Sequence, residues 1–224
     1  MSSPIVNIIP NFLQRNIVFF HQKIAHLNRV QKLALIIGAQ IQGIFPNRNT
    51  HIYGLDVGCG DMRMVEMISA NNSGIKWTCT DIHDLPENLK DSKKWEKYVR
   101  FDGTRLPFAD NTFDIVVFSD VLHHCMPKAS TLLTEAKRVG KYVIVKDHFE
   151  HGIVSRNILK FMDWFGNYGY GVTIPESYFT KQDFLSLVDK SRLRVVHMED
   201  RLKIYPLFAS LVLRPNFQFL AILT

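Results

Sequence analysis

The chain has 224 residues, a formal net charge of +6, 46% hydrophobic and 21% charged residues. That composition supports a buried core and excludes an intrinsically disordered chain. Three scattered cysteines, Cys59, Cys79 and Cys125, with no CxxC pair, argue against a disulfide framework or a cysteine-rich zinc site and favour a reducing compartment.

The longest uncharged apolar stretch, from Leu33 to Asn47, is interrupted by Gly, Gln and Pro. It falls short of the roughly 18 apolar residues a membrane span requires. The start shows no basic, apolar and small-residue segments in secretory order, so the expected location is cytoplasmic. Charge is uneven: residues 1–55 hold Arg15, Lys23, Arg29, Lys32 and Arg48, and the first acid is Asp56. Such asymmetry suits either anionic lipid or nucleic acid, or a basic helix packed on the domain.

Leu13, Ile17, Phe20, Ile24 and Leu27 recur at helical spacing, and the stripe resumes at Val30, Leu33 and Ile37. This predicts one or two helices over 11–44, ended by Gly43 and Pro46, whose apolar face needs either the main domain or a membrane surface as partner. Strands are then predicted at Ile52–Val57, Ile75–Thr80, Tyr98–Phe101, Phe113–Ser119 and Tyr142–Lys146, with helices after the first and near 128–138. The runs are continuous rather than alternating, as in parallel strands covered on both faces, which indicates a doubly wound α/β sheet. Residues 150–179 break the rhythm with many aromatics and glycines, predicting a helix about 154–165 and a glycine-rich loop. Thr180 caps a helix over 181–190 with Asp183 completing a capping box. Strands about 194–199 and 216–223, antiparallel to each other, close the chain.

The segment Leu55-Asp56-Val57-Gly58-Cys59-Gly60-Asp61 is the strongest chemical signal. Glycines in a strand-to-helix turn let a ligand approach the backbone and permit positive φ. Asp81 ends the next strand, 21 residues after Gly60, where a carboxylate can accept both ribose hydroxyls, and Asp102 follows strand three.

These motifs, LDVGCG (55–60), TDIH (80–83) and FDGTRLPFADNTFDIVVFSDVLHH (101–124), resemble the class I S-adenosylmethionine-dependent methyltransferases of the small-molecule type. The resemblance covers about residues 50–148 and 178–223. It implies a Rossmann-like, mostly parallel seven-stranded sheet with an antiparallel last strand. The N-terminal helical cap would span 1–48, the cofactor-binding core 49–149, a helical lid insertion 150–179 and the C-terminal helix and strands 180–224.

It implies S-adenosyl-L-methionine as cofactor, with Asp56, Gly58, Cys59 and Gly60 against its methionine portion. Asp81 would take the ribose, with Ile82, Asp102 and Gly103 beside the adenine and Ser119 near the reacting centre. Met62 departs from the family pattern, standing where a third glycine is usual. A dinucleotide is disfavoured, since Arg63 takes the last glycine position of its fingerprint.

A hydroxyl acceptor needs a base, and His148, Asp147 and His124 are the catalytic candidates. His123, Trp164, Tyr168, Tyr170 and Tyr178 are expected to line the acceptor site, with ordinary core packing the alternative for the aromatics, including Phe161 and Phe165. No metal is expected, although Asp147, His148 and His151 offer ligand types. The predicted activity is methyl transfer to an oxygen or nitrogen of a small metabolite, lipid or quinone-like acceptor. A non-catalytic binding module and a nucleic-acid methyltransferase are the alternatives, as is peripheral membrane contact through 11–44.

Overall fold

A computed structural model of the protein describes residues 26–47, 51–85, 93–166, 173–205 and 209–224. The first predicted helix, up to residue 25, lies outside them, as do Tyr168 and Tyr170.

Helix α1 (His26–Ile44) leads into β1 (Ile52–Val57), α2 (Arg63–Asn71), β2 (Ile75–Asp81), β3 (Tyr98–Arg100) and β4 (Phe113–Ser119). Helix α3 (Ala129–Val139), β5 (Gly140–His148), α4 (Ile153–Gly166), α5 (Lys181–Lys190), β6 (Val195–Glu199) and β7 (Gln218–Leu223) complete it. One sheet runs β3-β2-β1-β4-β5-β7-β6. The first five strands pair in parallel, and β7 lies antiparallel between β5 and β6.

Period-two alternation sorts the sheet into two covered faces. Val116 and Phe118 of β4 pack with Leu132, Leu133, Phe184 and Phe219, whereas Ile115 and Val117 pack with Leu33, Ile37, Ile41 and Ile68. Burial on both faces explains why the strands read as unbroken apolar runs. The stripe of α1, Val30, Leu33, Ile37 and Ile41, is buried in the protein's own core. Over 26–44 the main domain, not a membrane, is therefore its partner. No helix among the described residues is long and apolar enough to cross a membrane.

Chain order reverses between β1 and β4, and the carboxyl ends of those strands flank the crevice where open α/β sheets take ligands. The capping box forms as predicted: Thr180 Oγ1 accepts from Asp183 N–H, and the Asp183 carboxylate accepts from Thr180 N–H. This helix start fixes the return of the chain after residues 150–179, where Phe149 bridges Phe179.

Candidate functional site

The turn after β1 is held by the neighbouring strand. Gly58 and Cys59 amides both donate to the Thr80 carbonyl, at 2.8 and 3.2 Å, and the Gly60 amide donates to Asp81 Oδ2 at 3.0 Å. Gly58 and Gly60 have φ of 76° and 51°. A Cβ on Gly58 would sit 2.5 Å from Val121 Cγ2, while one on Gly60 would meet open space. The turn is thus packed on one side and clear on the other.

Met62 adopts a left-handed φ of 65° at the N-cap of α2, and its side chain is 1% exposed. The third glycine position keeps a glycine-like backbone, and the methionine side chain fills core between the turn and α2. The turn's shape therefore survives the departure from the family pattern.

Asp56 is buried at 3% exposure, and burial followed by the nearby Asp81 charge pushes its pKa up to about 7. Asp81 uses one lone pair of Oδ2 on Gly60 and one of Oδ1 on His83 N–H at 3.1 Å. Each oxygen keeps acceptor capacity for a diol. Ile82, 45% exposed, lies against Gly103, whose φ is 78°. Asp102 Oδ1 is taken by its own turn, accepting from Arg105 N–H, Thr104 Oγ1–H and Thr104 N–H. Those bonds hold its pKa near 2, so its part is at least to shape the loop that presents Gly103. A turn with one open face, a diol-accepting carboxylate and an exposed apolar side chain fit S-adenosylmethionine.

Beyond Ser119, the carboxyl edge of β4 and β5 gathers charges that sequence patterns did not bring together. Asp120, at φ 59°, receives Arg29 from α1 and Lys146 from β5, and Lys146 Nζ also donates to Gln218 Oε1 at 2.6 Å. Burial alone would raise the Asp120 pKa, but Arg29 and Lys146 outweigh it and hold the carboxylate ionised. Arg29, counted above among the cations of a basic N-terminus, is thus half-buried and paired with Asp120. Beside this cluster, His123 Nδ1 lies 2.5 Å from Asp147 Oδ1, and its Nε2 faces Asp163 Oδ2 at 3.2 Å. Tyr178 O–H donates to that same Asp163 oxygen at 2.5 Å. Burial alone would depress the His123 pKa, yet Asp147 and Asp163 push it up to about 10.

Asp147 is fully buried and bonds the His123 ring and the backbone amides of His123 and His148. These bonds place Asp147, expected among the catalytic candidates, beside His123 in the interior. His148 is 3% exposed, with Nδ1 3.4 Å from Asp120 and 3.5 Å from Asp147. Burial first, then the Lys146 charge, lowers its pKa. His124 is half-buried, with Nδ1 3.1 Å from the Thr173 carbonyl oxygen.

Tyr178, expected to line the acceptor pocket, is instead 1% exposed in a small core with Leu159 and Phe217. His123, expected to touch the acceptor, is likewise buried behind His124. Trp164 is half-buried against Phe161, and Phe161, offered as a core anchor, is 62% exposed.

The ligand atoms of His123, Asp147 and His148 lie within 4.8 Å of one another, as do those of His123, His124 and Asp163. His151 is not in either group: its Nε2 meets the Asn216 carbonyl at 2.8 Å. The 2.5 Å contact of His123 with Asp147 is a hydrogen bond, whereas two ligands of one tetrahedral zinc stand about 3.3 Å apart.

Arg29 and Asp120 meet across 91 residues, and no local pattern pairs them.

Residues 55–142 match the methyltransferase-domain family. In fold, the chain is similar to a SAM-dependent methyltransferase from Aquifex aeolicus (18% identity, TM-score 0.56), over 90% of this chain and 96% of that one. It is also similar to a putative sarcosine dimethylglycine methyltransferase from Galdieria sulphuraria (15% identity, TM-score 0.58, 83% of each chain). A third, mitomycin 7-O-methyltransferase, aligns at 15% identity and TM-score 0.59 over 89% of this chain and 53% of that chain. No curated protein matches the chain in sequence. The sheet order is that of the Rossmann-like fold these methyltransferase structures share. The match to the methyltransferase-domain family extends over residues 55–142, the part of the chain that carries the glycine turn and Asp81.

Proposed function

We propose that the protein transfers a methyl group from S-adenosylmethionine to an oxygen or nitrogen of a small organic acceptor. The observation that carries this reading is the glycine turn with one open face, tied through the Gly60 amide to a carboxylate with spare acceptor capacity. When bound, S-adenosylmethionine supplies a sulfonium-activated methyl whose bonding pair stays on sulfur as the carbon passes to the acceptor.

Asp56, Gly58, Cys59 and Gly60 would border the methionine end, Asp81 the ribose, and Ile82, Asp102 and Gly103 the adenine. Ser119 would stand near the reacting centre. Trp164 is the described aromatic best placed for the acceptor, since Tyr178 is enclosed. His148 and His124 both have pKa values below the ordinary histidine value, so both are neutral at pH 7 and able to accept a proton.

The part-buried ion pair of Arg29 with Asp120 weakens the nucleic-acid alternative, because that cation already has a carboxylate partner. The positive-φ backbone at Met62 weakens the alternative of a degenerate binding module.

Calorimetric titration with S-adenosylhomocysteine tests the cofactor site. Two charge-assisted hydrogen bonds at about 1.5–3 kcal/mol each imply that Asp81→Ala weakens binding roughly 100-fold or more. Retained affinity in that variant would refute the assignment.

A further inference from the structure

His123 and His124 are adjacent in sequence, with ring centroids 4.0 Å apart, yet their surroundings differ sharply. His123 is enclosed and has a carboxylate at each ring nitrogen. His124 reaches the surface and, among the described residues, has none within ion-pair distance. Its Nδ1 meets the Thr173 carbonyl at 3.1 Å. A carbonyl oxygen only accepts, so Nδ1 carries the proton and Nε2 is left with the lone pair.

We propose that His124 Nε2 takes the proton of an acceptor hydroxyl, and that Asp163 and the Thr173 carbonyl, both from the segment after β5, are its positioning groups. This deepens the methyl-transfer reading above and rests on it. A neutral amine has a free lone pair before the methyl arrives; a hydroxyl is a poor nucleophile until its proton leaves. In the step, the acceptor O–H proton passes to His124 Nε2 while an oxygen lone pair forms the O–CH3 bond. The pair of the breaking S–CH3 bond remains on sulfur, and the imidazolium then returns its proton to solvent.

The groups facing His124 are the charged His123 from its own segment, Asp163 from α4 and Asp147 from β5. Burial first and His123 second keep His124 deprotonated at neutral pH, while the two carboxylates oppose them. Asp163, ion-paired to His123 Nε2 and held by Tyr178 O–H, helps to keep the proton on His123, and so keeps two adjacent imidazoles from sharing the base role. His148 suits that role less well: its Nδ1 lies between the Asp120 and Asp147 carboxylates, and the residue is only 3% exposed, so an acceptor cannot reach it as it can His124.

The test is imidazole nitrogen NMR on the full chain with labelled histidine, the His124 signals being assigned by their loss in His124→Gln. In the free protein, His124 is expected neutral at pH 7 with the proton on Nδ1. A charged His124, or one protonated on Nε2, overturns the proposal. Phenol added with S-adenosylhomocysteine is expected to shift the His124 Nε2 signal, and an unmoved signal overturns the hydroxyl assignment.

Asp163→Asn is expected to lower the proton affinity of His123 roughly tenfold or more, with Asp163→Glu restoring most of it. An unchanged His123 titration removes Asp163 from the positioning role. Should Gly58 and Gly60 amides ignore S-adenosylhomocysteine while the free-protein His124 tautomer holds, the cofactor reading fails and the base geometry does not.

Discussion

Asp56→Asn changes how stability depends on pH. In the unfolded chain Asp56 ionises at its ordinary value of 3.8; in the fold, burial and Asp81 hold it protonated up to about pH 7. For an acid whose folded pKa is raised, stability falls as pH climbs from the unfolded to the folded value and is flat above it. At about 1.4 kcal/mol per tenfold change in proton affinity, the full loss is about 4 kcal/mol by pH 8. Asn, having no proton to lose, removes that slope. Urea unfolding of both proteins from about pH 4.5 to 8 measures the difference. The variant's advantage is expected to grow up to about pH 7 and then level off, by roughly 3 kcal/mol after the part already lost below pH 4.5. A difference that stays constant within about 1 kcal/mol, the size of one mutational error, would refute the reasoning. Asp81→Asn, removing the second cause, is expected to move the onset of ionisation to lower pH.

Met62→Gly relieves a left-handed backbone costing about 1–2 kcal/mol but deletes a buried side chain costing about 2–5 kcal/mol. Net destabilisation of roughly 1–3 kcal/mol in urea is expected, and a stabilised variant would show the family glycine to be the better fit. Lys146→Met leaves Asp120 with Arg29 as its only cation, beside the neutral His148 at 3.4 Å. Breaking a buried pair costs about 3–5 kcal/mol, so Tm should fall roughly 6–20 °C by calorimetry. An unchanged Tm would mean that Arg29 suffices. Gly58→Ala forces a Cβ to 2.5 Å from the stiff Val121 side chain at a positive φ. Affinity for S-adenosylhomocysteine should then drop at least tenfold, and wild-type binding would place the cofactor away from this turn.

Much of this protein was legible locally. Apolar runs of strand length, helical stripes and the Thr180–Asp183 box depend on residues a few positions apart, so β1, β2, β4, β5 and α5 emerged close to their ends. The Gly58–Gly60 turn and Asp81 were equally readable, because a parallel β-α-β unit joins one strand's end to the next strand's end over a short span. The acid–base edge was not. His123, Asp147 and Asp163 come from three elements, and whether a histidine faces solvent or two carboxylates is decided by how those elements pack.

The same limit applied to Arg29 and Tyr178. A basic residue on an amphipathic helix reads as a surface charge until the helix meets Asp120, and a tyrosine in an aromatic loop reads as a lid until its hydroxyl finds Asp163. Sequence determined the sheet and the turn, because those follow from spacing along the chain, and the cofactor class came from the family its motifs resemble. Tertiary structure alone decided which histidine is charged, which is neutral and which carboxylates stand beside them, because burial and Coulomb interaction depend on distance in space.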